Sequence, residues 1–157
     1  TGRPVKMIYS REEEFIASTT RHPFIMDYKT GVMNDGRIVA RKVRLVLDGG
    51  AYCSWSETTL GKACILSPGP YNIDNVEAEA FVVYTNKTMT GAMRGFGAPQ
   101  VCFAYESQMD DIATALGIDG TAFSWNTSVC STRSQNVMPR ALLTTKPIAP
   151  SSLWAQI

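Results

Sequence analysis

The stretch FIMDYKTGVMNDGRIVARKVRLVL, residues 24–47, decides the fold. Two strand-like runs, residues 24–33 and 37–47, flank Asn34-Asp35-Gly36, whose Asp-Gly step favours the positive φ of a tight hairpin. In the second run Val39, Arg41, Val43, Leu45 and Leu47 alternate with Ile38, Ala40, Lys42, Arg44 and Val46. The odd-numbered face is mostly apolar, so one face of the hairpin should be buried and the other wetted.

Downstream, Asp48-Gly49-Gly50 breaks the strand, and residues 57–66 carry a helical pattern that Pro68-Gly69-Pro70 stops. Residues 75–84 return to strand character, with Val76, Ala78, Ala80 and Val82 on one side and Glu77, Glu79 and Phe81 on the other. A loop follows over residues 85–97. Ala98-Pro99-Gln100 then opens a helix with Pro in its first turn, and Gly117 closes it after Leu116. The apolar positions Val101, Ala104, Met109, Ile112, Ala113 and Leu116 lie at helical spacing, as suits packing on a sheet. Upstream, residues 4–9 alternate as a strand would, and Ser10 before Arg11-Glu12-Glu13-Glu14 reads as an N-cap with acidic residues in the first helical turn. The class expected is α/β (α+β), a mixed sheet packed by helices at 57–66 and 99–116.

The chain has 157 residues, 45% of them hydrophobic and 18% charged, and a formal net charge of +1. That suits one domain, or one domain and a tail, and supplies no basic field for nucleic acid. No apolar run approaches the ~20 residues of a membrane-spanning helix. Thr1-Gly2-Arg3-Pro4 lacks the apolar core of a signal peptide. A first residue other than Met suggests a piece of a longer chain, although tag removal would look the same. Cys53, Cys64, Cys102 and Cys130 lie 11, 38 and 28 residues apart, without the close pairs of a zinc knuckle, and read as small buried hydrophobes in a reducing compartment. His22, the only histidine, reads as a satisfied loop residue. Glu12, Glu13 and Glu14 read as a solvated helix start. Residues 120–157 hold three basic residues and no acidic one, which divides the chain into a domain at 1–120 and a Ser/Thr/Pro-containing tail at 121–157. The tail could be an extended or partly disordered arm, a linker, or out-of-frame sequence foreign to the ancestral fold.

The segment that carries chemistry is Gly91-Ala92-Met93-Arg94-Gly95-Phe96-Gly97-Ala98-Pro99-Gln100. Its glycines allow close backbone approach, the following helix presents free N–H groups at its positive end, and Arg94 can fork onto phosphate or oxo groups. An anion cradle and a plain Gly-rich turn with a surface Arg both fit. A third glycine and a Walker lysine are missing, so neither dinucleotide fingerprint nor P-loop is present.

Met93-Arg94-Gly95-Phe96-Gly97-Ala98-Pro99-Gln100 resembles the R-G-F-G-x-P-Q signature of the molybdenum hydroxylases, the xanthine dehydrogenase and aldehyde oxidase family, in their large molybdopterin-binding subunit. Thr1-Gly2-Arg3-Pro4-Val5, Arg21-His22-Pro23-Phe24, Asp48-Gly49-Gly50-Ala51-Tyr52, Gly61-Lys62-Ala63, Pro70-Tyr71-Asn72-Ile73 and Tyr84-Thr85-Asn86 agree with that family's first molybdopterin lobe in order and spacing, over residues 1–120. The resemblance implies a molybdenum-molybdopterin cofactor beside Ala92, Met93, Arg94 and Gly95, and a substrate ring against Phe96. Lys62 falls where purine-oxidising members carry an arginine, so it is either a substrate contact without the planar fork or a surface charge. The implied activity is hydroxylation of an aldehyde or N-heterocycle. FAD, iron–sulfur clusters, the other molybdopterin lobe and the catalytic base would lie on other segments or subunits, leaving no catalytic residue and no directly bound metal here. A cytoplasmic, oxidoreductase fragment, inactive and self-associating when isolated, is therefore expected. The rival is a non-catalytic remnant or interaction module that keeps the lobe fold.

Overall fold

A computed structural model describes residues 2–128. Helix α1 (Arg11–Ala17) begins at a capping box: Ser10 Oγ accepts from the Glu13 N–H at 3.2 Å, and Glu13 Oε2 accepts from the Ser10 N–H at 2.8 Å. No residue of α1 is buried. The strand expected over residues 4–9 does not form. These residues are irregular and exposed, because alternation makes a strand only where another strand supplies hydrogen bonds, and no described strand lies alongside.

The short strand β1 (Thr20–Arg21) leads to the hairpin of β2 (Phe24–Val32) and β3 (Ile38–Asp48), antiparallel with Tyr28 opposite Val43 and Gly36 at φ +87° in the turn. Helix α2 (Ser56–Leu66) crosses over to β4 (Asn75–Val83), which runs parallel to β3 with Leu45 beside Ala80. The sheet order is β2-β3-β4, a mixed sheet as expected. A second, two-residue parallel pairing joins β1 to β5 (Thr90–Gly91). Helix α3 (Ala98–Leu116) then returns across the sheet and ends at Gly117, with φ +67°. Helix α4 (Gly120–Thr127) follows.

The helices α2 and α3 cover one face. Val43, Leu45 and Leu47 of β3 and Ala78 and Ala80 of β4 pack there with Leu60, Ala63, Cys64 and Val101. Ile38, Tyr71, Ile73, Met109, Ala113 and Phe123 form a second cluster at the other end of β3. The opposite sheet face carries charges, among them Lys42 paired with Glu77 at 3.0 Å.

Arg41 breaks the apolar face. It is 1% exposed, yet its polar atoms are satisfied: Nε donates to Thr30 Oγ1 at 3.0 Å and a terminal nitrogen to the Pro68 carbonyl at 2.7 Å, while the guanidinium sits 5.5 Å from the Tyr71 ring centroid. The cysteine expectation needs correction. Among the described cysteines only Cys64 is buried; Cys53 lies exposed before α2, and Cys102 is exposed on α3. Cys130 and the tail reading beyond residue 128 lie outside the described residues.

Candidate functional site

β3 and β4 run parallel and deliver their carboxyl ends to one edge of the molecule, where ligands of open α/β sheets commonly bind. There Asp48 organises the turn. Its Oδ1 accepts from the Gly50 N–H at 2.9 Å and Thr85 Oγ1 at 2.6 Å, and its Oδ2 meets Lys87 Nζ at 3.0 Å. Burial pushes the Asp48 pKa up, but the Thr85, Gly50 and Lys87 contacts outweigh it and hold the carboxyl below its usual range. Its carbonyl accepts from Thr90 Oγ1 at 2.9 Å, which fixes β5 against the end of β3.

From β5 the chain enters the glycine-rich loop. Gly95, Phe96 and Gly97 adopt φ of +92°, +55° and +87°, and Phe96 is the only non-glycine with positive φ among the described residues. For a bulky side chain that geometry is strained. The glycines are needed for a second reason. A Cβ on Gly97 would lie 2.7 Å from the Thr59 carbonyl and 2.9 Å from Ala63 Cβ, and one on Gly95 would lie 2.5 Å from Pro99 Cγ. The first turn of α3 is thereby seated directly on α2. Within the loop the Phe96 N–H donates to the Met93 carbonyl at 2.8 Å, whereas the N–H groups of Arg94, Gly95 and Gly97 have no acceptor among the described residues.

Arg94 is exposed, and its guanidinium has no ion pair among the described residues. Its backbone is held instead: the Arg21 guanidinium donates to the Arg94 carbonyl at 2.9 Å and to Gln100 Oε1 at 3.4 Å, and Gln100 Nε2 donates to the His22 carbonyl at 3.3 Å. His22 is 2% exposed, with Nε2 2.8 Å from Ser56 Oγ. Burial lowers its pKa, against a smaller upward pull from Asp48, so the ring is neutral near pH 7. The satisfied histidine of the sequence reading is what is found.

The structure brings Ala92, Met93, Arg94, Gly95 and Phe96 together on one exposed loop. Lys62 is exposed on α2, next to Ala63, against which Gly97 packs. Glu12, Glu13 and Glu14 stay at the start of α1, away from this loop's hydrogen bonds. Three residues escape the sequence reading. Arg21 anchors the loop. Thr59 Oγ1, in the helix beneath Gly97, is buried without a hydrogen-bond partner among the described residues. Trp55, 58% exposed, meets Phe96 edge to face with ring centroids 6.1 Å apart. No sequence signal marks Trp55: its place at the N-cap of α2, where a small polar residue is usual, is set only by the folded helix boundary.

Among the described residues the loop thus offers unpaired N–H donors and an unpaired guanidinium beside the edge-to-face pair of Phe96 and Trp55, which suits an oxygen-rich anionic group with a planar molecule next to it. The crowding at Gly95 and Gly97 shows that these two glycines let the loop fold tightly on Pro99 and on α2. Among the described residues no three His, Cys, Asp or Glu side chains are grouped to hold a metal ion directly.

The family model described as a molybdopterin cofactor-binding domain matches residues 1–125. The chain is similar to the nicotinate dehydrogenase large molybdopterin subunit of Eubacterium barkeri, 46% identical over 119 residues, covering 76% of this chain and 28% of that one. It is 42% identical over 124 residues to the xanthine dehydrogenase molybdenum-binding subunit of Escherichia coli O157:H7, covering 75% of this chain and 16% of the other. Among solved structures, the aldehyde oxidoreductase of Desulfovibrio gigas superposes with a TM-score of 0.75 at 26% identity, over 81% of this chain and 14% of that one. The chain therefore spans less than a third of each of these proteins.

Proposed function

The chain belongs to the molybdopterin cofactor-binding domain family, in the xanthine dehydrogenase and aldehyde oxidase group, and from that membership we propose that its loop of Ala92, Met93, Arg94 and Gly95 holds the molybdenum-bearing pterin of an oxidoreductase. The observation that carries the reading is the run of left-handed residues Gly95, Phe96 and Gly97 at the parallel strand ends, where loop N–H groups have no acceptor among the described residues and Arg94 is exposed. When bound, the cofactor supplies the two-electron redox chemistry that protein side chains lack.

This chain's own residues bind and orient. Arg94 balances anionic charge on the cofactor, and Arg21 and Gln100 keep the Arg94 carbonyl turned inward so that the loop does not collapse. Phe96 and Trp55, their rings inclined at 68° to one another, form two walls for a flat substrate, an N-heteroaromatic ring or an aromatic aldehyde, and Lys62 is a further candidate contact. The relatives named for nicotinate and xanthine support the ring, and the aldehyde oxidoreductase supports the aldehyde. Flavin and iron–sulfur subunits and the rest of the molybdopterin domain complete the enzyme. Alone, the chain is catalytically silent and self-associates through the apolar surface that the remaining lobes would cover. The three described cysteines are free, which supports a reducing, cytoplasmic setting. Among the described residues no helix is long and apolar enough to cross a membrane.

The test is Arg94→Ala in the full-length enzyme, read by molybdenum content. Occupancy should drop sharply, while Phe96→Ala should keep the metal and lose turnover of aromatic substrates. Unchanged molybdenum in Arg94→Ala overturns the cofactor assignment.

A further inference from the structure

Helix α3 begins without either half of a capping box. Its N-cap is Gly97, which has no side chain to accept from the N–H of Gln100 three positions on. A glutamine at that third position ordinarily reaches back to the N-cap N–H. The Gln100 side chain is engaged elsewhere, accepting from Arg21 at 3.4 Å and donating to the His22 carbonyl at 3.3 Å. The N–H groups of Gly97 and Gln100 therefore have no acceptor among the described residues, although Gly97 is buried.

A hydroxyl lies against this uncapped end. Thr59 of α2 is 1% exposed, and its Oγ1 is the one buried side-chain oxygen or nitrogen without a hydrogen-bond partner among the described residues. Its side chain faces Gly97: a Cβ there would lie 3.3 Å from Thr59 Cγ2 and 2.7 Å from the Thr59 carbonyl. So enclosed a hydroxyl is out of reach of any surface that another lobe or subunit could bring. No direct bond joins it to either N–H. Buried polar groups that lack one another by a short gap are ordinarily served by a water between them.

We propose that a single enclosed water molecule caps α3 from the neighbouring helix, accepting from the Gly97 and Gln100 N–H groups and donating to Thr59 Oγ1. Three bonds are the usual number for a buried water. Thr59 is then a positioning residue, which ties the base of the glycine-rich loop to α2, while the N–H groups of Arg94 and Gly95, both exposed residues, stay open. What this does for a cofactor rests on the reading above; the water does not.

Nuclear magnetic resonance of the nitrogen-15-labelled 157-residue chain tests it. The Gly97 and Gln100 amides should show a nuclear Overhauser contact to a long-lived water and exchange about tenfold more slowly than those of Arg94 and Gly95. Thr59→Val keeps the shape and removes the hydroxyl, so it should abolish the water contact, raise exchange at Gly97 and Gln100 about tenfold and lower the thermal midpoint. Thr59→Ser should keep both the contact and the slow exchange. Unchanged exchange at the two amides in Thr59→Val would mean that the hydroxyl is unpaired or bonded within α2, and overturns the water. A Thr59→Ser chain that behaves as Thr59→Val overturns it too, because the methyl and not the hydroxyl would then hold the loop. An Arg94→Ala enzyme that keeps its molybdenum while these amides stay protected overturns the cofactor reading alone.

Discussion

Replacing Gly97 by Ala separates two energies that meet at the head of α3. The first is conformational: at φ +87° an L-residue costs about 1–2 kcal/mol more than glycine. The second is steric, because the new methyl would lie 2.7 Å from the Thr59 carbonyl and 2.9 Å from Ala63 Cβ, atoms of a helix that cannot give way singly. Overpacking of that kind adds about 1–3 kcal/mol. The sum, about 3 kcal/mol, is a large share of the roughly 5–15 kcal/mol that a domain has in total. Gly117→Ala supplies the control: its φ is +67°, but nothing lies within 4 Å of the added carbon, so only the conformational part is lost. In urea unfolding, with a slope of about 2 kcal/mol per molar, Gly97→Ala should move the midpoint down by about 1.5 M and Gly117→Ala by about 0.5–1 M. Equal shifts for the two variants would refute the claim that the loop is wedged against α2.

Two further outcomes concern the buried ionisable groups. His22 binds a proton less readily folded than unfolded, so below its ordinary pKa of 6.5 the unfolded chain takes up more protons and stability declines as pH falls through the folded value. Thermal midpoints measured from pH 7.5 to 5 should show that decline, and His22→Asn should flatten it; an unaltered slope in the variant would contradict the assignment. Arg41→Ala should destabilise by about 3 kcal/mol, since it strips the Pro68 carbonyl and Thr30 of their donor and opens a cavity. Arg41→Met keeps the stem and removes a buried charge, so urea titration should show roughly half that loss; equal losses would mean that the charge itself stabilises.

The elements that carry their own instructions are legible in the sequence. Asp35-Gly36 bends the hairpin, Ser10 with Glu13 starts α1, and Pro99 and Gly117 bracket α3, each through contacts within four residues. Features that depend on distant partners are not. Residues 4–9 have a strand's alternation but no neighbour to pair with, and β1 with β5 is too short to leave a pattern at all. Helix α4 shows no apolar periodicity, and Phe123 is buried because it packs with Ile38, Tyr71, Met109 and Ala113, residues distant in sequence. At the site, Arg94 and Phe96 stand out because glycines flank them, and the left-handed geometry of the loop follows from the same glycines. Trp55 and Arg21 stay hidden because each meets the loop only after the chain has folded back on itself.

The pairing of β1 with β5 joins Thr20 to Thr90 and Arg21 to Gly91, bringing together positions 70 apart through two residues on each side. Closing so long a stretch for so few bonds makes it a late event in folding and an early one in local opening. Were it to open, Arg21 would lose the Arg94 carbonyl, while the β2-β3-β4 sheet would keep its own pairings. The loop's order is then governed by a small equilibrium of its own. A ligand that recognises only the closed form draws that equilibrium shut, so the site can ripen on loading without the domain having to refold.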